Sequence, residues 1–286
     1  MEQKKKQLRI AIQGGFGAFH DIAARHYFET SDNLEIVPRS TFKDVFVSLK
    51  NNKVDYGIMA IENSIAGSIL PNYALLRESN MRISGEIYLR IMQNLVALPG
   101  QKIEDLKEVH SHPMAILQCL KFFDQYPQIR LVESEDTAIS ARNIAQNKVE
   151  GIGAISSKLA AERYGLDILA ESIETDKMNY TRFLIVADAD KIRYKPNQVN
   201  KATVTFALHH EIGGLSKILS ILSFYNINLT KIQSMPIIGK DWEYQFYIDV
   251  LFDDFSRYRQ ALDAVKPFTT ELRILGEYPT GNTVFE

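Results

Sequence analysis

The chain has a single cysteine, Cys119, in 286 residues. A lone thiol forbids an internal disulfide and fits a reducing compartment. No apolar run approaches the roughly 18 residues that suggest a membrane-spanning helix, and the first residues lack the apolar core of a secretory signal. Strong charge of either sign is missing too. The formal net charge of -2 offers no positive field for nucleic acid. The basic run Lys4-Lys5-Lys6 stands in a short polar segment that is expected to fray. These absences leave the expectation of a cytoplasmic globular protein with neither membrane nor nucleic acid as partner. At 45% hydrophobic and 24% charged, it is long enough for one large domain or a large one plus a small one.

Up to about residue 190, short β-rich runs alternate with helical patterns. Strands are expected at 8–12, 55–61, 109–111, 129–132 and 151–155, and helices at 19–28, 68–77, 113–123, 137–146 and 158–164. Such alternation predicts a parallel sheet with helices on its faces. Residues 82–98 (RISGEIYLRIMQNLVAL) are strand-like throughout and read as a crossing from one α/β lobe to another. If 177–186 (KMNYTRFLIV) cross back, the lobes face each other over a cleft, with Thr181 and Arg182 on its hinge side.

The polar stretch KIRYKPNQVN then reads as a linker. After it come strand 202–207, helix 213–225, strands 229–237 and 244–251, helix 255–265 and strand 272–278. That β-α-β-β-α-β order is the ferredoxin-like unit. Its helices are expected on one sheet face, which leaves a bare face in need of a partner. The expected organisation is therefore a two-lobed α/β region at 1–190, a linker at 191–201 and a small domain at 202–286.

Several motifs carry competing readings. Gly14-Gly15-Phe16-Gly17 follows a strand and opens a helix, with Glu35 about twenty residues on, as in a dinucleotide site. His20, however, holds a position where that fingerprint needs a small residue, so a tight turn or a small-anion site is favoured. His110 and His112 lie on one side of an extended segment without further ligands at metal spacing, so no metal and no cofactor is assigned. Cys119 reads as a small buried side chain. Ser156 and Ser157 follow a strand, where helix capping and a role in a cleft loop can coincide. Glu62-Asn63-Ser64 ends another strand and reads equally as a turn or as a site.

In combination, IENSIAG (61–67), SHPMAILQC (111–119), GAISSKLAAERYGL (153–166) and NYTRFLIV (179–186) closely resemble the prephenate dehydratases, and the C-terminal unit resembles their ACT regulatory domain. The resemblance implies a catalytic region similar in fold to periplasmic binding proteins, followed by ACT. With so little sequence before Leu8, the monofunctional type is expected. The implied reaction is the loss of carbon dioxide and hydroxide from prephenate to give phenylpyruvate, in phenylalanine biosynthesis. The resemblance makes Thr181 the catalytic residue, with Glu62 as a proton source. Arg182, Phe183, Asn63, Ser64, His112, Gln118, Ser156 and Asn179 are its implied substrate contacts.

Relatives carry hydroxyls where this chain has Ala18 and His20. Either the loop then contributes only backbone N–H groups, or His20 substitutes as a donor. Arogenate is an alternative substrate, and a non-catalytic amino-acid-sensing protein is the rival from another class. Regulation by L-phenylalanine is implied at a subunit interface of a homodimer or homotetramer. The implied contacts are Gly213, Gly214, Leu215, Asn228, Leu229, Gln233 and Ser234. Gln233 and Met235 replace the family's Glu and Arg there, from which altered coupling and weaker affinity are expected.

Overall fold

The computed structural model describes residues 7–31, 33–208, 211–237, 239 and 243–285. The Lys4-Lys5-Lys6 run lies outside them. The chain opens with β1 (Leu8–Gln13), α1 (Phe19–Tyr27), β2 (Leu34–Arg39), α2 (Phe42–Lys50), β3 (Tyr56–Asn63), β4 (Gly67–Ser68) and α3 (Leu70–Glu78). It continues through β5 (Met81–Arg90), β6 (Asn94–Ala97), β7 (Glu108–Ser111), α4 (Pro113–Phe123), β8 (Arg130–Glu133), α5 (Thr137–Asn147), β9 (Ile152–Ser156), α6 (Lys158–Tyr164) and β10 (Asp167–Ala170). The remainder is β11 (Tyr180–Asp188), β12 (Lys201–Leu208), α7 (Gly214–Phe224), β13 (Asn228–Pro236), β14 (Tyr244–Leu251), α8 (Phe255–Val265), β15 (Thr270–Tyr278) and β16 (Thr283–Val284).

These elements make a mixed α/β fold of two compact units. One comprises Met1–Gly67, Ile87–Phe183 and Thr283–Glu286, the other Ser68–Glu86 and Leu184–Asn282. The first unit is two-lobed. In one lobe β1 pairs in parallel with β2 and β3 around Ile10, Ile12, Ile58 and Ile61, all fully buried. In the other the strand order is β10-β6-β9-β7-β8, with β7, β8 and β9 parallel and β6 antiparallel to both of its neighbours, β9 and β10. Pro38 lies within β2, where it spoils the look of a strand in sequence. As an end strand of its sheet, β2 tolerates a residue with no N–H to give. Thr41 then caps α2 by accepting from Asp44 N at 3.1 Å.

In the second unit, β12 to β15 form the ferredoxin-like sheet in the order β13-β14-β12-β15, all antiparallel. Val204, Phe206 and Ile248 meet Ile218 and Leu222 of α7 and Tyr258 of α8 in its core. The other face is not bare. The Tyr73 ring of α3 lies 4.9 Å from that of Tyr247 on β14, and Arg77 donates to Gln245 at 3.2 Å. All eight residues of β12 are accordingly buried. The partner that the sheet requires is a helix from much earlier in the same chain, which local periodicity cannot reveal. Below it, Lys201 Nζ lies 2.7 and 2.9 Å from the two oxygens of Glu86, and both side chains are buried. Gly281 N also donates to Glu86, at 3.1 Å. The stretch read as a linker follows a single-turn 3-10 segment at Ala189–Lys191, contains another at Pro196–Gln198, and is pinned by Tyr194, which donates to Ser84 O at 2.7 Å.

Candidate active site

The first unit builds a chain of side-chain amides around β3, α4 and β11. Asn63 closes β3, and its Oδ1 accepts from Ile65 N and Ala66 N at 3.0 and 2.9 Å. Those two backbone donors fix which end of the amide is oxygen. Its Nδ2 must therefore be the atom facing Asn179 Oδ1 (2.7 Å), Tyr180 O (3.1 Å) and Thr181 Oγ1 (3.0 Å). Asn179 Oδ1 is an acceptor, so its Nδ2 donates to Gln118 Oε1 at 3.0 Å. Gln93 Nε2 approaches the same oxygen at 3.5 Å. Ser64 ties the two strand ends together, donating to Met178 O and accepting from Tyr180 N, both at 2.9 Å.

This directionality has a chemical result at Thr181. Its Oγ1 accepts a hydrogen bond from Asn63 Nδ2, which leaves its own O–H hydrogen to donate elsewhere. Thr181 is 8% exposed, whereas Asn179 is fully buried and serves as a relay.

Successive side chains of a strand point to opposite faces. Thr181 and Phe183 thus share one face of β11, and Arg182 takes the other, where its Nη1 lies 3.8 Å from Glu62 Oε2 and its guanidinium lies 5.9 Å from the Tyr88 ring. Arg182 is only 4% exposed. Glu62 stands opposite Asn63 by the same alternation along β3. The residues expected to act together are divided between two faces of the strands.

Phe183 is buried, edge-on to the His20 ring at 5.0 Å. His20 Nε2 accepts from Ala60 N at 3.3 Å, which requires a neutral ring. Its apolar surroundings, Phe42 and Phe183 among them, lower its pKa to about 3. Ala18, where a hydroxyl is missing, packs among Ala138, Ala141, Ala160 and Ala161 of the other lobe. Gly17 has φ +84° and lies so close to Ala160 that a Cβ would approach its Cα to 2.7 Å. Its N–H donates to Asp21 and its carbonyl accepts from Ser157 Oγ at 2.5 Å, so the loop is a lobe-to-lobe contact.

Other expected residues lie apart from the amide chain. His112 Nδ1 accepts from Met114 N at the start of α4, and His110 meets Glu108 at 2.8 Å. Ser157 caps α6 through Ala160 N, while the Ser156 hydroxyl is fully buried beside Ser157 O at 3.4 Å. Burial, with Glu174 nearby, pushes the Cys119 thiol up, as for an inert side chain.

Three residues near the amide chain were not singled out from the sequence. Glu174 is buried, accepts from Gln93 N at 2.9 Å, and lies 4.0 Å from Arg90. Arg90 Nε and Gln93 Oε1 are buried without a hydrogen bond among the described residues. The available signal was the polar pair Gln93-Asn94 interrupting the strand-like run.

A family model described as "Prephenate dehydratase" matches residues 10–191. The chain belongs to the prephenate dehydratase family. It is 34% identical over 277 residues to the bifunctional chorismate mutase/prephenate dehydratase of Aquifex aeolicus, covering 96% of this chain and 74% of that one. It is also 37% identical over 301 residues to arogenate dehydratase 2 of Petunia hybrida, covering 99% and 75%. Among solved structures, the prephenate dehydratase from Arthrobacter aurescens in complex with L-Phe is similar, with TM-score 0.84, 27% identity and coverage of 95% and 90%. The chain is a dehydratase of the lyase type, in aromatic amino acid biosynthesis. None of its described helices is long and apolar enough to cross a membrane.

Proposed function

We propose that this dehydratase converts prephenate to phenylpyruvate, and that Thr181 is its central catalytic residue. The observation that supports the assignment is the Asn63–Thr181 bond, which leaves the threonine hydroxyl as a donor. The C–C bond to the ring carboxylate breaks and releases carbon dioxide. Its electron pair enters the ring, and the C–O bond at the opposite carbon breaks. Departing hydroxide takes up one proton to leave as water. Thr181 donates a hydrogen bond to that oxygen as charge develops. An aliphatic hydroxyl is too weak an acid to surrender its proton at neutral pH, so solvent supplies the proton consumed.

Arg182 and Glu62 face away from Thr181, and the reading gives them the task of holding β11 against β3. Arg90 is the cation assigned to a substrate carboxylate. Its side chain is a quarter exposed and its Nε is unpartnered among the described residues. Ser64, Gln118 and Asn179 position the amide chain, and Phe183 supports Thr181 from the core. Ser156 and His112 act through loop structure.

Similarity to an arogenate dehydratase supports a second substrate reading, in which the keto group is replaced by an amine. Turnover of prephenate and arogenate in parallel, followed by the enolate absorbance of phenylpyruvate and by phenylalanine release, separates the two. No turnover of prephenate above its spontaneous rate overturns the first.

We further propose that L-phenylalanine regulates the enzyme at an interface between copies of the ferredoxin-like unit. Gly213, at φ +77°, opens α7 without a side-chain cap; Gly214 N donates to Glu211 O at 3.4 Å, and the N–H of Leu215 in the first turn is the one placed for an α-carboxylate. β13, carrying Asn228, Leu229, Gln233 and Ser234, is an end strand, and Ile232 on it is 42% exposed. Calorimetry with phenylalanine tests this: unchanged heat in Gly214→Trp places the site elsewhere.

A further inference from the structure

A polar pocket of about 580 Å³ lies in the first unit at the sheet margin away from Thr181. Its lining includes Gly14 and Gly15, Arg39 at the end of β2, Lys53 after α2, and Glu135 and Arg142 beside and within α5. β2 and β8 end their respective strand orders, so the loops that follow them line this pocket from both lobes. Three cations gather there, against Asp44 and the exposed Glu135. Asp44 is already engaged, accepting from Thr41 Oγ1 at 2.7 Å. Arg39 spends its Nε on Ser48 and one terminal nitrogen on Pro38 O, which leaves further N–H donors. Arg142 Nε is buried with no hydrogen bond among the described residues, and a buried donor without an acceptor is costly.

We propose that this pocket binds a small polyanion bearing phosphate or carboxylate groups, held between Arg39 and Lys53 of one lobe and Arg142 of the other. Several charges are needed because the cations come from separate elements, and guanidinium groups pair with both phosphate and carboxylate oxygens. An anion there joins the lobes at the margin opposite the crossing strands. It supplements the direct contact of Gly15 N with Asp136 Oδ1 at 3.5 Å and slows opening of the cleft.

Thermal unfolding with inorganic pyrophosphate and, separately, malonate tests the proposal, with chloride at matched ionic strength as the control. At least one probe is expected to raise Tm saturably, by about 4 °C or more at a hundredfold excess over its Kd. Response to pyrophosphate alone identifies a phosphate ligand, to malonate alone a carboxylate ligand, and both outcomes support the site. The rise should be lost in Arg142→Gln and reduced in the exposed Lys53→Gln, yet kept in Arg90→Gln, which separates this pocket from the substrate site. Hydrogen exchange at 14–18 should slow with the effective probe. No saturable rise, an equal rise in the Arg142 and Lys53 variants, or unchanged exchange at 14–18 overturns the proposal.

Discussion

Asn63 Nδ2 donates to Thr181 Oγ1 across 3.0 Å, and the orientation is enforced because Asn63 Oδ1 is held by two backbone N–H groups. Thr181→Ala should lower kcat by about a hundredfold or more with little change in KM, the signature of a hydrogen bond made in the transition state. Thr181→Ser should keep more activity. Asn63→Asp, which removes the donor, should approach the loss seen in Thr181→Ala. Equal losses in the Ala and Ser variants would show that the hydroxyl is not the acting group.

Arg90→Lys should raise KM about tenfold or more, because an ammonium cannot reproduce a two-pronged contact with a carboxylate. Arg182→Lys should act mainly on Tm, since its partner is Glu62. Steady-state kinetics and unfolding on both variants decide the matter; the reverse pattern would put the substrate carboxylate on the Arg182 face.

His20 predicts a pH dependence of stability. Its pKa falls from 6.5 to about 3 on folding, so the unfolded chain binds more protons between those values. Its contribution is complete above about pH 6.5 and is lost as pH falls toward 3, at up to about 1.4 kcal/mol per pH unit. Between about pH 6.5 and pH 5 this is about 2 kcal/mol. His20→Phe should be less stable at neutral pH, because the hydrogen bond between Ala60 N and His20 Nε2 is lost, but should lack this part of the acid sensitivity. Denaturant titrations at the two pH values measure the difference.

Lys201→Met removes one member of a buried ion pair and takes the cation away from the buried Glu86 carboxylate. A loss of about 3–5 kcal/mol is expected. The double variant Lys201→Met with Glu86→Leu should recover much of it, because the cost lies in the stranded charge. A double variant no more stable than the single one would mean that Gly281 N, which Glu86 also holds, carries most of the value of the site.

Much of this molecule is legible in its sequence where a local period is strong. The helices Pro113–Phe123, Lys158–Tyr164 and Phe255–Val265 coincide with their expected bounds. β2 is not legible, because Pro38 breaks the strand pattern, and without that strand α2 has no place in the alternation. The site shows the same division. Asn63, Asn179 and Thr181 stand in recognisable motifs, and the structure joins them. That Thr181 and Arg182 turn to opposite faces follows from strand alternation, which becomes decisive only once the segment is known to be extended through both residues. Arg90 and Glu174 are brought together from opposite ends of the second lobe's sequence, and no spacing rule reaches that far.

α3 covers the β12–β14 face although just over two hundred residues of sequence separate Tyr73 from the end of β15. The unit is therefore assembled from a short early stretch and a long late one, and no single cut in the gene releases it whole. A fragment ending near residue 190 would keep Tyr73 and Arg77 while losing the sheet they cover. One beginning near residue 200 would expose a row of residues that are buried in the full chain. In recombination between relatives, Ser68–Glu86 and Leu184–Asn282 must travel together, with both crossovers at 67 and 87 placed between the Asn63 loop and Arg90. Exchange of the late stretch alone would pair a foreign sheet with the resident α3, and its success would be decided by how well Tyr73 meets whatever replaces Tyr247.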